Sequence, residues 1–358
     1  MNPKAPITII SSDRNWLESA ALRQLESIAG YSGVSLVAGL PDLHAGRTPV
    51  GLAVVTQDHI YPYLIGNDIG CGMGLFRTGL SSRKFKLEKW ESQLAQDLDF
   101  GSRPVPNPFS EAAPFHELGT LGGGNHFLEF QKVEEIIEAE SVASLGLDRA
   151  EILLLVHTGS RGFGRRIMTE FNSETGYELA DPKAGQYLEL HDQALLWARR
   201  NRELVAEKVL DFLGLGRQPE ILIDRAHNYL ARRGEFFIHR KGAVSAEEGL
   251  VVVPGSRGSL TYILSPAADT EKSAWSLAHG AGRKWERALC RARLGKKYNR
   301  EALRRTALKS RVVCSDLDLL FQEAPEAYKN IAEVVAALVE HGLAGIAATL
   351  RPLLTFKG

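Results

Sequence analysis

Two hydrophobic periodicities along the chain predict a mixture of helices and strands. Apolar residues three and four apart predict helices at 15–29, 84–98, 188–213, 273–289 and 325–340. Short apolar runs rich in β-branched residues predict strands at 34–37, 50–56, 127–133, 151–156, 236–239 and 250–253, and an acidic stretch predicts a short helix at 133–140. The elements do not alternate as regular strand-helix-strand units, which favours an α+β fold with mixed or antiparallel sheets surrounded by helices.

Glycine punctuates this pattern in five clusters, which lie at 66–74, 119–124, 159–164, 255–258 and 280–282. Each cluster borders an apolar run, and four of them hold or adjoin a histidine, a cysteine or an aspartate. Glycine allows backbone to approach a ligand closely, so we expect these loops to form a central cleft. The motifs described below extend from residue 42 to residue 357, which favours one domain spanning 1–358. The segment 102–114 contains four prolines and is predicted to be a loop.

Charge and cysteine content narrow the class of protein. The chain of 358 residues has 43 Lys and Arg and 43 Asp and Glu, so overall positive charge cannot attract nucleic acid, although a local basic cleft could. Three widely spaced cysteines (Cys71, Cys290 and Cys314) argue against a disulfide framework and for a reducing compartment. No run approaches about 18 apolar residues, and the start of the chain lacks a signal-peptide pattern. We therefore expect a soluble, cytoplasmic protein.

One carboxylate, one thiol and three imidazoles form a candidate metal site. Asp68 and Cys71 stand three apart on a glycine turn, and His126, His157 and His227 each lie beside glycine or asparagine. This mixture of ligands suits Mn, Fe, Co or Zn better than Mg or Ca. Taken singly, a histidine could be a structural hydrogen-bonding group and the cysteine an inert buried thiol. Taken together, the five residues favour a site for one transition metal or a pair.

Three further features predict more than a metal-dependent hydrolase. The loop 253–258 is rich in N–H donors that could hold phosphate. The sequence His279-Gly-Ala-Gly-Arg283 places an imidazole and a guanidinium around a flexible turn. An apolar run ending in Lys357 could fold back and donate a hydrogen bond to a base, although a frayed tail is the alternative.

With these motifs in order, the chain resembles the RtcB family of GTP- and Mn-dependent RNA ligases. The resemblance runs from Pro41 to Gly358 and rests on seven ordered motifs: Asp68-Ile-Gly-Cys71-Gly-Met, Gly122-Gly-Gly-Asn125-His126-Phe127, His157-Thr-Gly-Ser-Arg161-Gly, His227-Asn228, Arg240-Lys-Gly-Ala, Pro254-Gly-Ser256 and His279-Gly-Ala-Gly-Arg283.

The resemblance implies an RNA ligase that acts in RNA repair or tRNA splicing. By similarity, two Mn²⁺ ions are bound by Asp68, Cys71, His126, His157 and His227, with Cys71 bridging them. His279 is then the nucleophile that takes GMP from GTP. GMP passes to an RNA 3′-phosphate, which can come from a 2′,3′-cyclic phosphate end, and a 5′-hydroxyl end displaces it.

The resemblance also implies the residues that contact the nucleotide and the RNA. Arg161 and Arg283 would contact phosphates of RNA or nucleotide, Lys357 would read the guanine edge, and His44 would make a supporting hydrogen bond. The implied GTP contacts are Asn125, His126, Phe127, Glu129, His227, Asn228, Pro254, Gly255, Ser256, Arg257, Thr261, His279, Gly280, Ala281, Gly282, Tyr328 and Lys357.

Departures from the family pattern bear on specificity rather than on the reaction. Arg257 replaces a common methionine and adds a charge near the nucleotide phosphates, and Thr261 replaces a common serine. The region 82–114 is condensed, which could alter RNA docking or the need for an activating partner protein. Two alternatives stay open at this point: a phosphoesterase that only opens cyclic phosphates and does not use His279, and a non-catalytic RNA-binding protein.

Overall fold

The computed structural model describes residues 4–96, 117–216 and 218–358. One sheet has five strands, which in spatial order are β1 (Ile7–Ile9), β2 (Val34–His44), β3 (Val50–Gln57), β11 (Phe236–Lys241) and β10 (Asn228–Arg233). A larger sheet runs in the order β13 (Val251–Pro254), β14 (Thr261–Pro266), β17 (Ala344–Lys357), β6 (Phe127–Ile136), β7 (Glu151–Thr158), β5 (Gly72–Ser81) and β9 (Glu220–Ala226), with β16 (Arg311–Cys314) paired to β17.

Two short ribbons and the helices complete the described fold. The ribbons pair β12 (Ala243–Ser245) with β15 (Ser276–Ala278) and β4 (His59–Ile60) with β8 (Tyr177–Glu178). The helices are α1 (Ser19–Ile28), α2 (Pro62–Ile65), α3 (Leu87–Gln96), α4 (Gly162–Glu170), α5 (Pro182–Phe212), α6 (Arg287–Leu294), α7 (Arg300–Leu303), α8 (Leu317–Gln322) and α9 (Ile331–Glu340). Nearly all strand pairs are antiparallel, and β1–β2 and β16–β17 are parallel. The predicted α+β class with mixed sheets is confirmed.

Strand β7 lies at the centre of the larger sheet because both of its faces are apolar. All eight of its residues are buried. Leu154 and its alternate neighbours pack in one core with Val205 and Val209 of α5, whereas Leu153 and Leu155 pack in another core behind the sheet. Side chains alternate between the two faces of a strand, so one apolar run serves two cores and holds the end of β7 rigidly.

Helix α5 covers one face of this sheet and spans 31 residues. It begins at Pro182, whose missing N–H costs nothing in the first turn, and the carboxylate of Asp181 accepts a hydrogen bond from the Lys183 N–H. Among the helices in the described part of the chain, none is long and apolar enough to cross a membrane.

Two predicted helices are wrong. The segment 133–140 continues β6 as far as Ile136, because Glu134 forms a bidentate ion pair of 2.6 Å with Arg351 on the neighbouring β17. The segment 273–289 contains β15, a turn and only the start of α6. The helix predicted over 325–340 begins at Ile331, after a short 3₁₀ turn. The loop predicted for 102–114 lies outside the described residues.

Candidate active site

Four neighbouring strands deliver the cysteine and the three histidines to one edge of the larger sheet. The order β6-β7-β5-β9 is antiparallel throughout, so the start of β6, the end of β7, the start of β5 and the end of β9 share that edge. His126 precedes β6, His157 lies near the end of β7, Cys71 precedes β5 and His227 follows β9. Residues far apart in sequence therefore converge because of strand order.

The ligand atoms of this cluster lie within contact distance of one another. The Cys71 Sγ is 3.2 Å from His157 Nε2 and 3.5 Å from His126 Nε2. His157 Nε2 is 3.3 Å from His227 Nε2, and His126 Nε2 is 2.8 Å from Asp68 Oδ2. Cys71, His126 and His157 form a group that could hold a metal ion.

Hydrogen bonds at the Nδ1 atoms of His126 and His157 leave the Nε2 atom of each ring facing the cluster. The Nδ1 of His126 is 3.0 Å from the Leu121 carbonyl, and the Nδ1 of His157 is 3.2 Å from the Asn125 carbonyl. An Nδ1–H that donates to a carbonyl fixes the tautomer in which Nε2 carries the lone pair. The Oδ1 of Asp68 is buried without a hydrogen-bond partner in the described structure. These donors fit a transition metal.

Burial sets the protonation of this cluster. Burial lowers the pKa of His157 and of His227, so both imidazoles are neutral. The nearby His227 lowers the pKa of His157 further, and His279 lowers that of His227. The Cys71 thiol has a raised pKa because of burial and the nearby Asp68 carboxylate. Burial raises the pKa of Asp68, but His126, the hydrogen bond with Cys71 and the charge of Arg161 together outweigh it, so that this pKa is lowered. Without a cation the cluster favours a thiol, and a divalent ion would favour the thiolate.

A buried arginine on α5 holds the loops that carry these residues. The Nη1 of Arg202 donates to the carbonyls of Gly70 (2.8 Å) and Thr158 (3.0 Å). Its Nε and Nη2 form a bidentate pair with Asp224 on β9, at 2.6 and 2.7 Å. Arg202 thus joins α5 to the ends of β7 and β9 and to the turn before β5. Gly70 has a φ of +74°, and a Cβ there would lie 2.8 Å from that of Ala198 on α5.

His279 stands apart from this cluster and is oriented by a carboxylate. It follows β15, and its Nδ1 lies 2.6 Å from Oδ2 of Asp42, which is fully buried in β2. The same carboxylate oxygen accepts a hydrogen bond from the His279 backbone N–H at 3.3 Å. Donation from Nδ1–H to Asp42 leaves Nε2 unprotonated in the neutral ring. The ring centroids of His279 and His227 are 4.7 Å apart.

Strand β2 lies so close to the turn at 280–282 that position 282 must be glycine. Gly282 has a φ of +71°, and a Cβ there would collide with the backbone of Asp42. Lys329 also ties this region together, because its Nζ donates to the carbonyls of Pro41 (3.1 Å) and Leu43 (2.6 Å). The Asp42 carboxylate is therefore fixed beside His279 from two directions.

A cavity of about 670 Å³ is lined by His279 and by two residues of the cysteine-histidine cluster, His157 and His227. Most of the residues predicted to contact the nucleotide line it: Asn125, Phe127, Glu129, His227, Asn228, Pro254, Gly255, Ser256, Arg257, His279, Gly280, Ala281, Gly282, Tyr328 and Lys357. Two predicted contacts stand behind this wall. His126 presents its ring to Asp68, and the Thr261 hydroxyl accepts a hydrogen bond from Gln131, which also donates to Glu129.

One end of the cavity combines a carboxyl group with an ammonium group. Burial raises the pKa of Glu129 to about 7. Lys357 is the last residue of β17, and the pairing of β17 with β6 places its Nζ 3.2 Å from the His126 carbonyl. Burial also lowers the pKa of Lys357, against the opposing effect of Glu323. A donor and an acceptor side by side suit the edge of a guanine base.

Glu323, just after α8, organises this end of the cavity. It is 4% exposed, and it accepts hydrogen bonds from the Lys357 Nζ (3.1 Å), the Tyr328 hydroxyl (2.6 Å) and the Arg287 Nη1 (2.7 Å). These partners, Lys357 and Arg287 foremost, overcome the effect of burial and lower the pKa of Glu323 to about 2. A permanent negative charge thus stands beneath the predicted base site.

The protein engages the guanidinium of Arg283 and only part of that of Arg257, whose Nε and Nη1 are buried without a hydrogen-bond partner in the described structure. Arg283 lines the cavity, but its guanidinium donates to Glu323 (3.3 Å) and to the Gln322 carbonyl (2.9 Å). Arg257 is 7% exposed and donates to the Leu320 carbonyl at 3.0 Å. The charge of Arg257 therefore lies near the Glu323 group. The assignment of Arg283 to phosphate binding stays a prediction.

Arg161 and His44 lie at other edges of the site. Arg161 begins α4 with a φ of +56° and donates to the Thr120 hydroxyl at 3.3 Å, and it helps to lower the pKa of Asp68. His44 lines the cavity, with its Nδ1 2.9 Å from the Asp42 carbonyl, and burial lowers its pKa to about 4. The phosphate contact expected of Arg161 stays a prediction.

Three residues with evident roles in this geometry escaped the sequence patterns. Asp42 stands in the strand segment Pro41-Asp42-Leu43-His44, where a carboxylate among apolar residues was a usable signal of a buried polar partner. Glu323 and Arg202 lie in or beside helical segments that also carry surface charges. Nothing in the spacing of their neighbours distinguishes them.

Comparison with known proteins identifies a family and several relatives that match nearly the whole chain. The family described as tRNA-splicing ligase RtcB matches residues 24–113 and 108–358. RNA-splicing ligase RtcB2 of Escherichia coli is 42% identical, over 97% of this chain and 94% of that protein. The tRNA-splicing ligases RtcB of Nanoarchaeum equitans and Thermococcus kodakarensis are 28% and 27% identical, each over 98% of this chain and 92% of theirs.

Proposed function

The chain belongs to the RtcB family, and from this premise we propose that it is an RNA ligase consuming GTP. It joins RNA 3′-phosphate or 2′,3′-cyclic phosphate ends to 5′-hydroxyl ends. One observation carries the proposal. Asp42 orients the imidazole of His279, and this ring lines the cavity that the cysteine-histidine cluster adjoins. The names of the relatives support ligation and do not favour a phosphoesterase.

The cluster accounts for metal dependence. We propose two Mn²⁺ ions held by Asp68, Cys71, His126, His157 and His227, with the sulfur of Cys71 bridging them. The unpartnered Oδ1 of Asp68 and the convergent Nε2 atoms support this choice. When bound, the metal would polarise phosphate oxygens as a Lewis acid.

His279 performs the nucleotide transfer in this proposal. Its Nε2 attacks the α-phosphorus of GTP, an N–P bond forms, the bond to the bridging oxygen of the β-phosphate breaks, and pyrophosphate leaves. The ring keeps its Nδ1 proton, which it donates in a hydrogen bond to Asp42, and the Asp42 carboxylate stabilises the positive charge that develops on the ring. The RNA 3′-phosphate then displaces His279 from GMP, and the RNA 5′-hydroxyl displaces GMP from the activated end.

The end of the cavity that is lined by Glu129 and Lys357, here called the base end, supports a preference for guanine over adenine. Lys357 donates to the guanine O6 in this proposal. The guanine N1–H and amino group favour the ionised form of Glu129, whose pKa is about 7 without a ligand, and its carboxylate accepts from both. Tyr328 lines the same end. Adenine presents a donor where guanine presents O6, so it would face the Lys357 ammonium with a like group.

Labelling of the protein with [α-³²P]GTP and Mn²⁺ tests the proposal. The wild type should acquire an acid-labile, base-stable label, and His279→Ala should acquire none. His341→Ala is the matched control, because His341 lies away from the cavity and bonds only to the Ser11 carbonyl in the described structure. An unlabelled wild type, or a His279→Ala variant labelled like the control, would contradict the proposal.

A further inference from the structure

Positive charge is concentrated in one segment beside the cavity mouth. Residues 283–311 contain twelve lysines and arginines against two glutamates, whereas the whole chain has equal numbers of basic and acidic residues. The segment includes α6 and α7, and its first part lines the cavity. A neutral protein that concentrates its cations in one place has a local attraction for anions there.

On one side of α6, the arginine side chains form ion pairs with carboxylates of the protein. Arg287 pairs with Glu323 at 2.7 Å, and Arg291 pairs with Asp318 of α8 at 2.6 Å. These two positions are four residues apart and thus lie on the same side of the helix. Their charges are already balanced by carboxylates.

The segment just before α6 and the other side of that helix present an aromatic ring close to two cations. Lys284 and Trp285 precede α6, whereas Leu289 and Arg293 lie on it four residues apart. All four residues line the cavity. The Arg293 guanidinium lies 4.8 Å from the centroid of the Trp285 ring, and the Lys284 Nζ lies 5.8 Å from it. Leu289 is 43% exposed. Within the ranges that the structure describes, neither cation has a carboxylate partner.

We propose that Lys284, Trp285, Leu289 and Arg293 form a docking surface for single-stranded RNA beside the end to be joined. A base stacks on Trp285 and its neighbouring apolar side chain, and the two cations contact the flanking phosphates. The inference rests on the proposed function, because the same cavity must receive the RNA end that His279 activates.

The chemistry of the surface favours single-stranded RNA over other polyanions. Aromatic rings with interleaved cations bind single strands, because every base has a face that can stack and every nucleotide carries a phosphate. A duplex hides its base faces. An acidic protein would satisfy Lys284 and Arg293 but would leave the indole ring and Leu289 without a matching group.

Joining kinetics with wild-type and variant proteins test the surface. We expect Trp285→Ala to raise KM for a 3′-phosphate oligoribonucleotide about 10-fold or more. The double change Lys284→Gln with Arg293→Gln should do the same and should lower the slope of log KM against log salt by about 1.4, or roughly 0.7 for each phosphate that is no longer neutralised. Arg291→Gln is the matched control on the same helix, because its charge is already paired.

One further variant and two further measurements separate RNA docking from damage to the fold. Trp285→Phe keeps a ring for stacking and should restore most of the joining lost in Trp285→Ala. Binding of a 3′-hydroxyl oligoribonucleotide, which cannot be joined, should weaken in Trp285→Ala as KM rises. The GTP-derived label on His279 measures nucleotide transfer separately from RNA docking.

Several outcomes would overturn the inference. Equal KM values in Trp285→Ala and Arg291→Gln would show that no base stacks on Trp285. A Trp285→Phe variant with a KM as high as that of Trp285→Ala would show the same. Poly-glutamate that binds as tightly as the oligoribonucleotide would indicate an acidic protein partner. A wild type that is never labelled would defeat the proposed function alone, since the binding of 3′-hydroxyl RNA tests the docking surface independently.

Discussion

At the scale of single residues, two buried carboxylates determine how the site works. Asp42 holds the Nδ1 side of His279, so that the opposite nitrogen is free to react. Glu323 neutralises Lys357 and Arg287, so that several buried cations can stand close together at the base end. Neither carboxylate is a predicted metal ligand, and each acts through the side chain that it positions.

We expect Asp42→Asn to slow labelling of His279 by roughly 10²–10⁴-fold, because an amide can stabilise the wrong tautomer and no longer balances the imidazolium. KM for GTP should change little, since the base end of the cavity is untouched. Single-turnover labelling with [α-³²P]GTP measures this split. Asp13→Asn, at an exposed position, controls for loss of one carboxylate; equal rates in both variants would refute the positioning role.

We expect Glu323 to make stability depend on acid pH. Its pKa of about 2 lies below the ordinary value of 4.5. The resulting stability, on the order of 3 kcal/mol, is therefore present above about pH 4.5 and is lost as the pH falls through 2. Urea unfolding of the wild type across this range should show the loss, and Glu323→Gln should show less of it.

Glu323→Gln should also be less stable than the wild type at pH 7, because Lys357 would keep a buried charge without its partner. Glu301→Gln, whose partner Arg305 is exposed, is the matched control. A wild type and a Glu323→Gln variant with the same pH profile would show that folding does not lower the pKa of this carboxyl group.

At the scale of elements, antiparallel strand order assembles the cysteine-histidine cluster and α5 holds it in place. Arg202 reaches from the middle of α5 to three segments of the site, whereas its neighbour Arg200 pairs with Glu203 and Glu207 near the surface. The two arginines are two positions apart on one helix. They differ in burial rather than in residue type.

Arg202→Leu should destabilise the protein by about 3–5 kcal/mol, because it leaves the buried Asp224 carboxylate unpaired. It should also reduce the Mn²⁺ retained after gel filtration, although Arg202 is not a predicted ligand. Arg200→Gln should cost less than about 1 kcal/mol and retain the metal. Unfolding curves and elemental analysis give the two readouts, and normal metal content in Arg202→Leu would exclude the clamp.

At the scale of the whole molecule, both ends of the chain converge on one cavity. Strand β2 brings Asp42 from the first part of the chain, and β17 brings Lys357 from the last. The central position of β17, paired with β14, β6 and β16, makes the end of the chain part of the sheet. Because the cavity joins distant segments, ligands bound there should stabilise the fold as a whole.

We expect Mn²⁺ at about 100 times its Kd to stabilise the wild type by about 2.7 kcal/mol per site and to raise Tm accordingly. Cys71→Ser should lose more of this increase than His227→Asn does, because a bridging sulfur serves both ions. Calorimetry with increasing Mn²⁺ measures the increase, and Cys314→Ser, another buried cysteine, is the control. Equal increases in Cys71→Ser and Cys314→Ser would rule out a bridging sulfur.

Local sequence patterns predicted some elements of the fold and missed others. The apolar pattern identified β7 and α5 because burial and periodicity agree there. It failed at 133–136 and 276–278, where partners distant in sequence decide the conformation. Residues 133–136 form a strand because β17 pairs with them, and 276–278 form a strand because β12 supplies its hydrogen bonds.

The sequence by itself determined the α+β class and the family, and it predicted most of the residues that we propose carry the chemistry. It did so because residue types and glycine turns are local properties. Only the tertiary structure decided that Asp42 orients His279, that Arg202 clamps the metal loops, that Glu323 holds Lys357 and that Arg283 and Arg257 are engaged by the protein. Those assignments depend on contacts between segments up to 237 residues apart, which strand order and helix packing create and no short-range pattern records.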